Sequence, residues 1–184
     1  NGNKKTGVTI MKTALAMDSG DVALQKSVDI EEADNAEMLL KKLAKLGGEA
    51  LQEVLWQLQN NMLKLQPQDE SKATFCKKIT AEMAKINWNN KNLDIFNQIR
   101  AFNPSPVAYT VLNGDNFRIF DSRPTDCNID AVNGQVIECS KLSLTVKCGS
   151  GALKLLSVQA AGGKVLGYKD FINGRKIKQG DILG

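Results

Sequence analysis

Two aspartates lie close together in a short glycine-containing segment near the start of the chain. Residues 17–21 read Met-Asp-Ser-Gly-Asp, which places Asp18 and Asp21 three positions apart. A carboxylate in such a loop can hold a proton-bearing group in a fixed orientation for acid–base chemistry. It can also simply bond backbone amides of its own turn. The segment alone favours the structural role for Asp18. Asp21 is also expected to be structural and to help fix the loop and the next strand.

Metal chemistry has little support in the sequence. The chain contains no histidine, and no two of its four cysteines are spaced as Cys-x-x-Cys, so no zinc site is expected. We expect free thiols, as in a reducing cytosol, with a disulfide or a reactive thiol as the alternative. The cysteines are Cys76, Cys127, Cys139 and Cys148.

Charge is distributed unevenly along the chain. Residues 1–71 hold 8 Lys and Arg against 11 Asp and Glu, whereas residues 72–184 hold 16 against 9. A basic half beside a mildly acidic half indicates a polyanionic partner for the basic half. A solvated basic surface without a partner is the alternative on charge alone.

The sequence carries no membrane or secretion signal. It has no run of about 18 apolar residues that could span a bilayer, and no basic start followed by an apolar stretch. It opens without Met, on a polar turn that leads directly into an apolar strand, which is typical of the middle of a domain. We therefore expect a truncated or proteolysed product that lies in the cytoplasm.

The first 66 residues read as the end of an α/β domain. Residues 7–11 and 21–28 have the β-branched or alternating pattern of strands. Asp34, with Glu37 three positions later, resembles a capping box at a helix start. The apolar spacing that follows is helical, and Gly47 and Gly48 are expected to divide it into two helices.

A polar segment at 67–82 is the predicted linker, since the charge changes sign there. Residues 73–85 are expected to add a strand and a short helical turn. Asn90 is the predicted cap of a helix with Leu93, Phe96, Ile99 and Phe102 on its apolar face.

The remainder of the second domain, 83–184, is predicted to be mainly β. Asn113-Gly114 between two apolar runs indicates a hairpin, because a type I′ turn requires positive φ at both central residues. About five short strands with regular turns suggest a small closed barrel of OB type, followed by a helix at 168–173. The predicted strands are 108–112, 117–120, 135–139, 142–148 and 152–159.

Several short segments along nearly the whole chain carry a recognisable order of residues. They are 6–11 (Thr-Gly-Val-Thr-Ile-Met), 17–21, 68–71 with 73–75, 86–88 (Ile-Asn-Trp), 99–106 (Ile-Arg-Ala-Phe-Asn-Pro-Ser-Pro), 171–175 (Phe-Ile-Asn-Gly-Arg) and 180–184 (Gly-Asp-Ile-Leu-Gly). They resemble, in the same order, segments of the 10-formyltetrahydrofolate-dependent formyltransferases, and the last two resemble the tail of the methionyl-tRNA formyltransferases. The family usually has Thr at Ser19 and Trp at Ser105, so packing around Ser105 is expected to differ.

The resemblance implies an α+β chain: the end of a Rossmann-like formyltransferase domain, then an OB-like barrel. It implies transfer of a formyl group from 10-formyltetrahydrofolate to the α-amino group of methionyl-initiator tRNA. The family uses an Asn, a His and an Asp, and Asp18 stands at the position of that Asp. Because this sequence has no histidine, we expect the chain alone to be inactive, with most folate contacts supplied before residue 1.

The resemblance also implies that the basic domain binds tRNA, since Lys and Arg neutralise phosphates. Arg118 and Arg123 are weaker candidates, and Arg100 is expected to serve a domain interface. The main candidates are Lys141, Lys147, Lys154, Lys164, Arg175, Lys176 and Lys178.

Two other readings remain open. The chain could belong to another folate-dependent enzyme, such as an amino-sugar nucleotide formyltransferase or a formyltetrahydrofolate hydrolase domain. It could also be a stand-alone RNA-binding module. We expect a monomer that does not contact membranes.

Overall fold

The computed structural model describes residues 2–174 and 177–184. Within them the chain divides into two compact units, residues 3–78 and residues 79–184, the latter together with Gly2. The division between Lys78 and Ile79 falls inside 67–82, the segment that the sequence predicts as the linker.

The first unit is built on an antiparallel hairpin. Strand β1 (Lys5–Met11) pairs with β2 (Val22–Asp29). Half-buried and exposed residues alternate along β1, because successive side chains of a strand point to opposite faces. Helix α1 (Ala36–Gln59) packs against both strands and buries Ala50 and Val54.

Helix α1 runs without a break through Gly47 and Gly48, so the prediction of two helices is wrong. A glycine in a helix interior costs about 1 kcal/mol relative to alanine. The packing of α1 on the hairpin outweighs that cost. Gly47 faces the hairpin, where a Cβ at its position would lie 3.9 Å from Val8 Cγ1.

The cap of α1 also differs from the prediction. The N-cap is Asn35, whose side chain accepts a 2.9 Å hydrogen bond from the Met38 amide. Asp34, the predicted cap, is buried, accepts from the Glu31 amide at 2.9 Å and pairs with Lys42 Nζ at 2.8 Å. The hydrogen bond that Lys42 donates to the Asp34 carboxylate raises the pKa of Lys42. Asp34 therefore links the turn at Glu31, just before the helix, to Lys42 within the helix.

The segment after α1 returns to the hairpin. The backbone of Gln66 exchanges two hydrogen bonds with Val22, of 2.8 and 2.9 Å. A 3₁₀ turn follows at Glu70–Lys72 and another at Glu82–Ala84. The strand expected within 73–85 is absent from the described structure, because residues 73–80 are exposed and have no partner strand.

The second unit opens with α2 (Asn92–Ala101), which buries Ile95, Phe96 and Ile99. Lys91, not the predicted Asn90, occupies the N-cap position, and its side chain makes no capping hydrogen bond.

Six antiparallel strands form the sheet of this unit in the order β3-β4-β7-β6-β5, and β8 also pairs with β7. Helix α3 follows at Tyr168–Asn173, as the sequence predicted. The strands are β3 (Ala108–Leu112), β4 (Asp115–Thr125), β5 (Val136–Cys139), β6 (Leu144–Lys147), β7 (Ala152–Ala160) and β8 (Leu166–Gly167).

Turn chemistry predicted the β3–β4 hairpin correctly. Asn113 and Gly114 have φ values of 53° and 87°, the left-handed conformation that a type I′ turn requires. Gly134 is constrained differently: its φ is 86°, and a Cβ there would lie 2.4 Å from the Leu183 carbonyl oxygen. The close approach of these two segments depends on glycine.

One hydrophobic core joins the sheet, α2, α3 and the C-terminal residues. Phe117, Ile119, Leu153 and Leu155 are almost fully buried within it. Trp88 is buried too, and its indole N–H donates a 3.0 Å hydrogen bond to Thr110 Oγ1. That bond satisfies a donor that would otherwise be costly to bury.

The described strand pairings do not close a barrel. β3 and β5 are the two ends of the strand order and do not pair with each other. The extended chain at Lys85 lies beside Tyr109 of β3, and Ile182 near the C-terminus pairs with Gln135 at the start of β5. The fold is thus a mixed α and β structure with an open antiparallel sheet. In the described parts of the chain, no helix is long and apolar enough to cross a membrane.

Candidate functional site

The aspartate segment lies in the loop that joins β1 to β2. The amide of Lys12 donates to the carbonyl of Asp21 at 2.9 Å, which closes the neck of the loop. Gly20 is buried there, and a Cβ at its position would lie 1.6 Å from the Lys12 carbonyl oxygen. Only glycine fits this neck. Asp21 thus fastens the loop through its backbone.

Asp18 lies at the tip of this loop and is exposed. Its φ of 56° is left-handed, a conformation that Asp tolerates better than most residues. Among the described residues its carboxylate makes no hydrogen bond or ion pair, whereas its carbonyl accepts from Gln68 Nε2 at 2.8 Å. The backbone is held and the carboxylate faces solvent.

Gln68 positions the loop, a role that the sequence did not reveal. Its side-chain amide reaches two carbonyls, that of Asp18 and that of Gly20 at 2.7 Å. The backbone pairing of Gln66 with Val22 brings Gln68 to this place. The sequence signal was only that Gln68 opens one of the resembling segments.

Two apolar side chains flank Asp18 and are almost wholly in solvent. Leu15 and Met17 are 109% and 91% exposed. Apolar side chains this exposed beside a carboxylate offer contact to an apolar part of a ligand or of another protein segment.

The predicted cations that the structure describes in the second unit lie on several different elements. Lys141 lies between β5 and β6, Lys164 between β7 and β8, and Lys178 near the C-terminus; all three are exposed. Lys147 ends β6 half-buried, and its Nζ lies 3.5 Å from the Gly151 carbonyl oxygen. Lys154 is exposed on β7. Arg175 and Lys176 lie outside the described residues.

The two weaker candidates both lie on a central strand of the sheet. Arg118 and Arg123 are both exposed on β4. Arg123 lies directly opposite Lys154 of β7, and Arg118 lies opposite Tyr109 of β3. The strand register thus brings Arg123 and Lys154 side by side, on the same sheet as Arg118.

Arg100 belongs to α2. Its guanidinium lies 5.3 Å from the Phe96 ring centroid, and its Nε donates to Asn97 Oδ1 at 3.0 Å. The interface role predicted for Arg100 stays a prediction. Ser105, where the family usually has Trp, is exposed.

The cysteines are free thiols in this structure. Burial raises the pKa of Cys148 to about 12 and also raises that of Cys139, so both thiols are kept protonated. In the described part of the chain no group of three His, Cys, Asp or Glu side chains could hold a metal ion.

Family models match both parts of the chain. The model described as formyl transferase matches residues 1–55, and the model for the formyl transferase C-terminal domain matches residues 78–176, more than half of the chain. The chain belongs to the formyl transferase family. This family assignment agrees with the resemblance of residues 17–21 and 99–106.

Two relatives with the name methionyl-tRNA formyltransferase are similar along the whole chain. The protein of Lactococcus lactis subsp. cremoris is 41% identical over 191 aligned positions, and that of Streptococcus pyogenes is 42% identical over 186. In both, the match covers 100% of this chain but 59% of the relative. The formyl transferase chain thus spans about three fifths of the length of the curated relatives it matches.

Solved structures show the same fold. A crystal structure of HypX from Aquifex aeolicus in complex with tetrahydrofolic acid matches with a TM-score of 0.69 at 18% identity, and covers 96% of this chain and 31% of that protein. At that identity the likeness concerns the formyl transferase fold alone.

Proposed function

We propose that this chain is part of a methionyl-tRNA formyltransferase, which formylates the α-amino group of methionyl-initiator tRNA for translation initiation. The observation that carries the proposal is the 41% identity to a methionyl-tRNA formyltransferase across the whole chain. The net positive charge of residues 72–184 supports a nucleic-acid substrate over a small one.

The first unit would contribute to the transfer centre. Helix α1 exposes Leu40, Leu55, Trp56 and Leu58, each 49–66% accessible. Apolar exposure of this extent on one helix is typical of a surface that other structure covers. This supports assigning residues 1–66 to a larger Rossmann-like catalytic domain.

The folate cofactor would supply the formyl group, in its 10-formyl form. The loop fits such a ligand in one respect, since Leu15 and Met17 present apolar side chains beside Asp18. Asp18 has a free carboxylate on a backbone that Gln68 fixes. It would accept a hydrogen bond from a protonated group or a water and hold that donor in the orientation that proton transfer requires.

The second unit would bind the tRNA. The proposed phosphate contacts are Lys141, Lys147, Lys154, Lys164 and Lys178, together with Arg175 and Lys176. Its open antiparallel sheet would act as a partly open barrel of OB type, whose curved face and loops suit nucleic acid. We further propose that the protein acts as a monomer in the cytoplasm.

Two assays test the proposal. The protein encoded by the complete gene is expected to formylate methionyl-initiator tRNA with 10-formyltetrahydrofolate. The 184-residue chain is expected to bind initiator tRNA with an affinity that falls steeply as salt rises. Transfer to an amino-sugar nucleotide instead of the tRNA would contradict the proposal. Binding of tRNA without any transfer by the gene product would favour an RNA-binding module.

A further inference from the structure

A row of side chains crosses four segments on the outer face of the second unit's sheet. Lys85 is the bridge partner of Tyr109, and Tyr109 lies opposite Arg118. The next residue in the row is Gln159 of β7. Cross-strand partners point to the same face of a sheet, so an aromatic ring stands between two cations.

Burial identifies this face as the one turned away from the core. Ala84 and Ile86, the neighbours of Lys85 in the chain, are both buried, whereas Lys85 is exposed. Phe117 and Ile119, which flank Arg118, are buried as well. Tyr109 is half-buried between buried neighbours. The row therefore faces solvent.

A second row lies further along the same two strands. Arg123 of β4 is directly opposite Lys154 of β7, and the row continues by register to Thr145, which is buried, and to half-buried Glu138. Asp121 of β4 lies between the two rows and is exposed. The two rows, with Asp121 between them, thus carry two acidic residues and four basic ones.

The basic residues of this face form no ion pair with an acidic side chain among the described residues. None of Arg118, Arg123 and Lys154 lies within ion-pair or hydrogen-bonding distance of another described side chain. Like charges directly opposite each other on neighbouring strands destabilise a sheet. An external anion that binds both Arg123 and Lys154 would offset that repulsion.

We infer that Lys85, Tyr109 and Arg118 bind an unpaired nucleotide of RNA, with its base stacked on the Tyr109 ring and its flanking phosphates on the two cations. Arg123 and Lys154 continue the phosphate contacts. An aromatic ring between cations on a sheet face is the arrangement that recognises single-stranded nucleic acid. A duplex would use the cations but not the ring. The inference rests on the proposed function, with tRNA as the natural source of the unpaired nucleotide.

The test uses the 184-residue chain with a fluorescein-labelled 12-nucleotide RNA, single-stranded or annealed to its complement. Fluorescence anisotropy gives both dissociation constants at several salt concentrations. Tyr109→Leu is expected to weaken single-strand binding about tenfold and duplex binding far less, because only the unpaired base stacks. Tyr109→Phe keeps the ring and is expected to retain the affinity.

Arg118→Gln is expected to reduce the slope of log affinity against log salt by about 0.7 for the single strand. Lys169→Gln, an exposed cation of α3 outside both rows, is the matched control and is expected to leave affinity and slope unchanged. Circular dichroism and thermal unfolding verify that each variant is folded. If Tyr109→Leu fails to fold, Arg118→Gln still tests the inference, because an unchanged salt slope would overturn the phosphate contact beside the ring.

Equal weakening of single strand and duplex by Tyr109→Leu would overturn the inference, as would an unchanged single-strand affinity. Two further results distinguish failure of this inference from failure of the proposed function. Initiator tRNA that binds equally well to Tyr109→Leu would contradict the stacking face alone. Failure of the complete gene product to formylate methionyl-tRNA, with single-strand binding intact, would contradict the tRNA assignment alone.

Discussion

The side-chain amide of Gln68 donates a 2.8 Å hydrogen bond to the main-chain carbonyl of Asp18, although the two residues are 50 positions apart. The exposed loop tip is thereby fixed through its backbone, while its carboxylate remains available. Gln68 is therefore a positioning residue of the proposed transfer centre.

Replacing Gln68 tests that role. Gln68→Ala removes both hydrogen bonds to the loop and is expected to lower the formylation rate of the complete gene product on the order of tenfold, because misplacement of a catalytic group costs rate. Faster hydrogen exchange at residues 12–21 should accompany the loss. Gln52→Ala, on an exposed part of α1, is the control and should change neither quantity. If the loop exchanged faster but the formylation rate did not change, Gln68 would not be a positioning residue of the transfer centre.

The two glycines Gly20 and Gly48 should respond oppositely to alanine. At Gly20 the new Cβ would lie 1.6 Å from a backbone carbonyl oxygen, so Gly20→Ala is expected to destabilise the first unit by roughly 1–3 kcal/mol. At Gly48 nothing lies within 4 Å, and Gly48→Ala is expected to stabilise α1 by about 1 kcal/mol. Urea unfolding measures both. A stabilising Gly20→Ala would mean that the loop neck is not closed as described.

Cys148 should make the second unit less stable at alkaline pH. Burial raises its pKa from 9.0 to about 12, so the folded protein retains a proton that the unfolded chain releases. Its stabilising contribution is complete below pH 9 and is lost as pH rises toward 12, at up to about 1.4 kcal/mol per pH unit. The difference in unfolding free energy between the wild type and Cys148→Ala should therefore shrink between pH 9 and 10.5. A difference that is constant over this range would place the thiol in contact with water.

Local signals predicted much of the second unit. Asn113-Gly114 predicted its hairpin because the turn imposes a conformation that few other residue pairs adopt. The helix at 168–173 was predicted at its observed bounds. Both depend on interactions within a few residues.

The features that were missed depend on distant contacts. Gly47 and Gly48 are poor helix residues by propensity, and packing on the hairpin keeps α1 continuous. Gln68 acts on a loop 50 positions earlier. The grouping of Arg118 with Tyr109, and of Arg123 with Lys154, depends on strand register, which single-sequence patterns do not supply.

The role of Asp18 in the proposed transfer centre is tested by the kcat/KM for formylation of methionyl-initiator tRNA, measured on the complete gene product carrying Asp18→Asn. The exchange keeps size and shape but removes the charge. We expect a loss on the order of 10²–10⁴-fold, because positioned acid–base groups contribute about that much. Asp21→Asn should retain most of the activity, and the 184-residue chain alone should give no turnover. Near-wild-type kcat/KM in Asp18→Asn, or turnover by the 184-residue chain, would contradict the assignment of Asp18 to a transfer centre completed by other residues.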